Sequence, residues 1–163
     1  MRVSPFARAV PRPPRRAPLE PAASPRRYAG VVVEGRRLGR RLGVPTANLP
    51  IDDLDPALWG SWAALARTPH GAFRALAHLG VRPTVDGGRA LVEAHLFDFD
   101  DDLYGIRLTV RLLERVAREL ALPSLDALEC KIHEDVRLVR DFFARMDERR
   151  RAAALDGASR SRP

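Results

Sequence analysis

Residues 91–112 read LVEAHLFDFDDDLYGIRLTVRL. Two apolar runs, 91–97 and 106–112, alternate with a period of two, and the acidic turn 98–102 separates them. Successive side chains of a strand point to opposite faces, so Ile106, Leu108, Val110 and Leu112 share one face. In the first run Val92, Ala94 and Leu96 share a face, and Leu91, Glu93, His95 and Phe97 share the other. The pattern recurs upstream. Residues 29–34 are rich in β-branched side chains between glycines, and the runs 61–66 and 72–79 flank the turn-prone Thr-Pro-His-Gly at 68–71. Short strands separated by turn residues predict an all-β dominated unit, a small antiparallel barrel or sandwich.

The period then changes. Leu125, Leu128, Ile132, Val136, Val139, Phe143 and Met146 recur every three or four residues, with Ser124 placed to cap the first turn. This predicts one amphipathic helix of about 20 residues laid against the sheet. On it His133 reads as a surface residue and Cys130 as a core residue. A length of 163 residues allows one ordinary domain, and the 45% apolar fraction supplies a core. A single cysteine excludes a disulfide framework and a cysteine-based zinc site. No stretch reaches the roughly 18 apolar residues of a membrane helix. The formal charge of +7 is unevenly spread: residues 1–27 carry +6, 149–163 carry +4 and 28–148 carry −3. Half of the 14 prolines fall in 1–27, so that segment and 149–163 read as disordered tails around a 28–148 domain. A mildly acidic domain argues against a fold that wraps nucleic acid.

Chemistry concentrates in residues 30–49, GVVVEGRRLGRRLGVPTANL. Glycines allow positive φ and close phosphate approach, and successive free amides in such a loop would form an anion nest. Thr46 and Asn48 stand two apart, so in an extended segment both would point the same way as hard oxygen ligands for Mg²⁺. The plainer reading is a glycine-rich hairpin with solvated arginines. Glu93 is a carboxylate among apolar neighbours, costly to bury unless paired or functional, and is a candidate general base or a rim residue paired with arginine. His95 beside it reads as a hydrogen-bonded structural histidine. Asp98, Asp100, Asp101 and Asp102 lack the spacing of a calcium loop and read as a solvated turn. Trp59 and Trp62 read as packing residues.

The glycines at 30, 35, 39 and 43 followed by Val44-Pro45-Thr46-Ala47-Asn48 closely resemble the signature of riboflavin kinases (flavokinases). Four further runs resemble that family in its order: Leu-Gly-Val-Arg-Pro-Thr at 79–84, Val-Glu-Ala-His at 92–95, Asp-Leu-Tyr-Gly at 102–105, and Ser124 with Leu128, Ile132 and Asp135. The resemblance implies a six-stranded antiparallel Greek-key β-barrel with a C-terminal α-helix. It implies ATP-dependent phosphorylation of the ribityl 5′-hydroxyl of riboflavin to give FMN. Carried over by position, Gly35, Gly39, Arg41, Gly43, Pro45, Thr46 and Asn48 would bind the nucleotide. Thr46 and Asn48 would hold Mg²⁺, and Glu93 would take the hydroxyl proton. Arg82, Tyr104 and Arg118 would contact the flavin. The expected partners are riboflavin, FMN, ATP and ADP, with no nucleic acid and no membrane, in a cytoplasmic monomer.

Two departures stand out. The chain has no adenylyltransferase His-x-Gly-His, so FAD synthesis is not expected. The family's Leu-Arg-x-Glu is here Val116-Ala117-Arg118-Glu119, with Ala117 where the arginine belongs. Ala117 keeps open a flavin-binding paralogue without turnover, against which Thr46, Asn48 and Glu93 stand. The same residues also admit a kinase for a flavin analogue, and the basic arms admit an RNA-binding barrel.

Overall fold

The computed structural model describes residues 26–52, 54–81 and 90–160, so residues 1–25 of the expected tail and Arg82 lie outside the described residues. The elements are β1 (Arg27–Val31), α1 (Leu38–Arg41), β2 (Ala47–Ile51), β3 (Gly60–Thr68), β4 (Gly71–Val81), β5 (Ala90–Leu96), β6 (Arg107–Arg118) and α2 (Leu125–Arg160). The strands form one six-stranded antiparallel sheet ordered β1-β6-β3-β4-β5-β2. In it β3, β4 and β5 run as a meander, and β6 returns to lie beside β3, which is the Greek-key arrangement. The sheet curls nearly shut because the chain after β1 reaches β2: Val33 N–H donates to Asn48 O at 2.9 Å. Of the two all-β architectures that the alternation allowed, the barrel is the one formed.

The period of two fills the barrel. Leu49, Leu79, Val92, Leu108, Val110 and Leu112 are buried inside it, and small Ala64, Ala66, Ala75, Ala77 and Ala94 let the walls approach. Each fully buried aliphatic side chain of this set contributes about 1.5–3 kcal/mol relative to exposure. The outer wall has its own core, where Ala63, Leu76, Phe97 and Val116 meet Val139 and Phe143 of α2. The helix thus covers part of the face that also carries Glu93 and His95. Ser124 caps it as expected, accepting from Ala127 N–H at 3.1 Å. Trp62 is buried and donates from Nε1 to Leu58 O at 2.8 Å, and Trp59 packs against the barrel core, so both are packing residues.

Three expectations need correction. The helix does not stop near Met146 but runs to Arg160, so much of the presumed frayed segment 149–163 is helical. Beyond Glu148 the run Arg-Arg-Arg-Ala-Ala-Ala-Leu is exposed and helical through propensity, which leaves no apolar periodicity to read. Cys130 is exposed, not core. Leu125, counted in the apolar stripe, is 65% exposed, because the stripe meets the barrel only further along α2.

Candidate active site: two clefts that share Thr46

A row of cross-strand neighbours runs over the outer wall. Asn48 of β2 pairs with Glu93 of β5, Glu93 with His78 of β4, His78 with Ser61 of β3, and Ser61 with Ala117 of β6. Directly opposed residues share a face, so five strands present this row to one side. The loop 34–46 covers one end of it, and α2 with the segment after β6 covers the other.

The loop fits because its glycines are bare. A Cβ at Gly35 would stand 2.5 Å from Nδ2 of Asn48, and one at Gly39 would stand 2.4 Å from Val44 O and 3.4 Å from Thr46 Oγ1. Gly43 has φ +74°, the left-handed region that glycine enters without strain. The expected nest of free amides is narrower than the glycine spacing suggested. The N–H groups of Arg41, Leu42, Gly43 and Val44 already donate to the carbonyls of Arg37, Leu38, Arg40 and Gly39, closing the single turn α1. The far side of the loop is held by His95, whose Nδ1–H donates to Pro45 O at 2.8 Å. Burial pushes the His95 pKa down, so the ring stays neutral and structural, as expected.

Two clefts open on either side of Thr46. The larger, about 390 Å³, is lined by Arg40, Pro45, Thr46, Tyr104 and the turn residues Asp100 to Asp102. The smaller, about 180 Å³, holds Glu93, His78, Arg118, Glu119 and Asp135 within an apolar lining that includes Leu38, Leu76, Leu120 and Ile132. Thr46 lines both, and a third hollow joins it to Asn48 and Tyr104. Both linings mix charged and apolar side chains, the larger adding Val32, Leu96, Phe99 and Leu103 to its charged residues, and a hydroxyl stands at their junction.

The expected site residues divide accordingly. Gly39 and Thr46 share the smaller cleft with Glu93 and Arg118. Pro45 lies in the larger, and Asn48 is buried beside Thr46. Tyr104, expected at the flavin, lines the larger cleft, and its neighbour Arg37 is ion-paired to Glu34 at 2.5 Å. Arg41 is exposed and lines none of these hollows, whereas Arg40 lines two: one helical turn rotates the neighbours apart. The acidic turn is a solvated one whose carboxylates cap local amides, Asp101 accepting from Asp102 N–H and Asp102 from Tyr104 N–H. No group of three or more histidines, cysteines and acids could hold a metal among the described residues.

The sequence reading missed the polar chain in the smaller cleft. Ser61 Oγ donates to Asp135 Oδ2 at 2.7 Å, and Lys131 pairs with the same oxygen. His78 lies 3.2 Å from Ser61 Oγ through Nδ1 and 3.0 Å from Glu119 Oε2 through Nε2. That hydrogen bond holds the Glu119 carboxyl below its ordinary range. These residues come from two strands, a loop and a helix, and apart from the i,i+4 pair Lys131–Asp135 no sequence spacing joins them.

The family model described as riboflavin kinase (Flavokinase) matches residues 22–143. The chain is 37% identical over 120 residues to a bifunctional riboflavin kinase/FMN adenylyltransferase of Haemophilus influenzae, covering 73% of this chain and 39% of that protein. It is 40% identical to the Pseudomonas fluorescens counterpart over 121 residues, 74% of this chain and 39% of the other. A Bacillus subtilis protein described as the RNA-binding riboflavin kinase RibR is 36% identical, over 71% of this chain and 50% of its own length. A solved structure described as a macrolide-efflux protein from Streptococcus pneumoniae superposes with a TM-score of 0.61 at 33% identity, covering 72% of this chain and 39% of that one. The chain thus spans 39% of the length of the two bifunctional relatives.

Proposed function

The chain belongs to the riboflavin kinase family, and from that premise we propose that it transfers the γ-phosphoryl group of ATP to the ribityl 5′-hydroxyl of riboflavin, giving FMN and ADP. The observation that carries this reading is the pair of clefts joined at Thr46, with Glu93 in the smaller one. The larger cleft has the volume for a nucleotide, and Arg40 is the cation in its lining for the phosphates, set against the carboxylates of Asp100 to Asp102. The smaller cleft, with Glu93, Arg118 and Glu119 in its lining, suits the hydroxylated ribityl arm, with the flavin ring lying across Leu120, an apolar side chain that is 60% exposed at its rim. Tyr104 then belongs to the nucleotide side and Arg118 to the flavin side.

Phosphoryl transfer needs positioning and charge neutralisation more than covalent help. The hydroxyl oxygen attacks the γ-phosphorus, the bond to the β–γ bridging oxygen breaks, and the hydroxyl proton passes to the Glu93 carboxylate as general base. Gly39 and Gly35 let the loop close onto Thr46 and Asn48, which orients the phosphate end of the nucleotide. Thr46 hydroxyl and Asn48 amide oxygens are hard donors that fit Mg²⁺, whose remaining positions are ordinarily filled by phosphates and water. Bound there, the cation would neutralise phosphate charge. Cytoplasmic location and a monomeric state are part of the proposal; no helix among the described residues is long and apolar enough to cross a membrane.

The RNA-binding description of one relative supports a second reading for the basic ends. Residues 28–148 carry −3, so any nucleic-acid affinity would reside in the tails and vanish when they are trimmed. The kinase reading is tested by ATP-dependent FMN formation. Wild type is expected to turn over, and Glu93→Gln is expected to lose about 10²–10⁴-fold in kcat while still binding riboflavin. Tight flavin binding by wild type without FMN formation would favour the paralogue without turnover.

A further inference from the structure

His78 sits at the centre of the cross-strand row, between Glu93 on β5 and Ser61 on β3. Its hydrogen bonds fix its proton count. Lys131 binds the same Asp135 oxygen that Ser61 reaches, so Asp135 acts as a carboxylate that only accepts. The single hydroxyl hydrogen of Ser61 is therefore given to Asp135, and toward His78 the Ser61 oxygen can only accept. Nδ1 of His78 must carry a hydrogen. On the other side Nε2 faces Glu119 Oε2 at 3.0 Å, and a carboxylate again only accepts. Nε2 must carry a hydrogen too. A ring with two N–H groups is imidazolium. The far end of the chain is rigid, since Asp135 is 4% exposed on the helix that packs against the barrel.

Glu119 belongs to the segment that follows β6, and that segment forms one wall of the smaller cleft through Arg118, Leu120 and Leu122. Gly80 lies beside the contact: a Cβ there would stand at ordinary contact distance, 3.4 Å from Nε2 of His78 and 3.6 Å from Oε2 of Glu119. We propose that His78 is a positioning residue for the flavin substrate: its imidazolium latches Glu119 and thereby holds Arg118 and Leu120 in place as the wall and rim of the Glu93 cleft. The inference rests on the kinase reading for the identity of the ligand, and on hydrogen-bond geometry alone for the latch. The charged groups around the ring are Glu93 from β5, Glu119 and Arg118 from the segment after β6, and Asp135 with Lys131 from α2. The latch is made while the ring is doubly protonated and Glu119 is ionised. It opens at acid pH when Glu119, held below its ordinary range by the hydrogen bond from His78, gains a proton.

The test compares the full-length wild type with His78→Gln, Glu119→Gln and the double variant, reading KM for riboflavin, KM for ATP and riboflavin affinity by fluorescence quenching. The pair is nearly half exposed, so each single change is expected to raise the riboflavin KM and dissociation constant about three- to fivefold. KM for ATP should not move, and the double variant should be no worse than the worse single one, because both remove the same contact. The riboflavin KM of wild type should rise at acid pH as Glu119 gains a proton, and that rise should flatten in His78→Gln. An unchanged or lowered riboflavin KM, or additive effects, would overturn the latch. Nitrogen-15 NMR of wild-type His78 decides the charge without activity and without any variant that could misfold: two protonated nitrogens at pH 7 support the latch, and a neutral tautomer refutes it. A wild type that neither binds riboflavin nor makes FMN would sink the kinase reading while leaving that NMR result to judge the latch.

Discussion

Replacing Gly39 with alanine probes the loop that carries Thr46 without touching a polar group. The added Cβ would stand 2.4 Å from the Val44 carbonyl oxygen, and contacts under 3.0 Å are not tolerated, so the two must separate by at least 0.6 Å. The obstacle is backbone and cannot rotate away. Val44 N–H also donates back to Gly39 O at 2.8 Å, so the turn cannot open without breaking its own closure. Overpacking of this kind costs about 1–3 kcal/mol. The displaced stretch of chain leads through Pro45 directly to Thr46, at the junction of both clefts. A misplacement approaching 1 Å costs on the order of 10²-fold in a reaction that depends on positioning. Gly39→Ala is therefore expected to lose about 10²-fold in kcat/KM for FMN formation, with a fall in Tm of about 5 °C. Gly43→Ala is the control. It meets nothing within 4 Å and carries only the strain of φ +74°, about 1–2 kcal/mol, so stability should fall with much less loss of turnover. Equal kcat/KM in Gly39→Ala and wild type, measured by coupled FMN assay across subsaturating substrate concentrations, would refute the claim that this loop sets the position of Thr46.

Other outcomes follow from the same geometry. Phe143→Ala removes the largest fully buried side chain between α2 and the barrel, and should cost about 3–5 kcal/mol in denaturant unfolding. Burial lowers the His95 pKa in the folded state, so the folded protein binds fewer protons there than the unfolded chain. Its stability contribution is complete above the unfolded value near 6.5 and is lost as pH falls below it; His95→Asn should flatten that acid-side loss in thermal melts. Truncation after Glu148 keeps the Arg74–Asp147 pair at 2.7 Å and removes exposed helix, so Tm should change by under about 2 °C.

The barrel could be read from residues 91–112 because one buried face imposes a period of two, and the interior seats Val92, Ala94, Leu96, Leu108, Val110 and Leu112 where the alternation put them. Thr46, Asn48 and Glu93 could be read because the glycine loop and its neighbours resemble a family signature, and the fold brings the three to adjoining positions. Arg41 lines none of the three hollows while Arg40 lines two, since which face of a tight turn points inward depends on packing that linear spacing does not encode. The His78 latch lay beyond reach for a different reason: its partners Ser61, Glu119 and Asp135 are joined only by strand register and helix docking. The exposed end of α2 stayed hidden because a helix without a buried stripe has no periodic signal.

The most direct test of the account is a crystal structure of the chain with riboflavin, ADP and Mg²⁺. It should place the nucleotide in the cleft of Arg40 and Tyr104 and the ribityl 5′-hydroxyl within about 2.6–3.2 Å of the Glu93 carboxylate, with Thr46 between them. Flavin seated in the cleft of Arg40 and Tyr104, or a ribityl arm pointing away from Glu93, would contradict it.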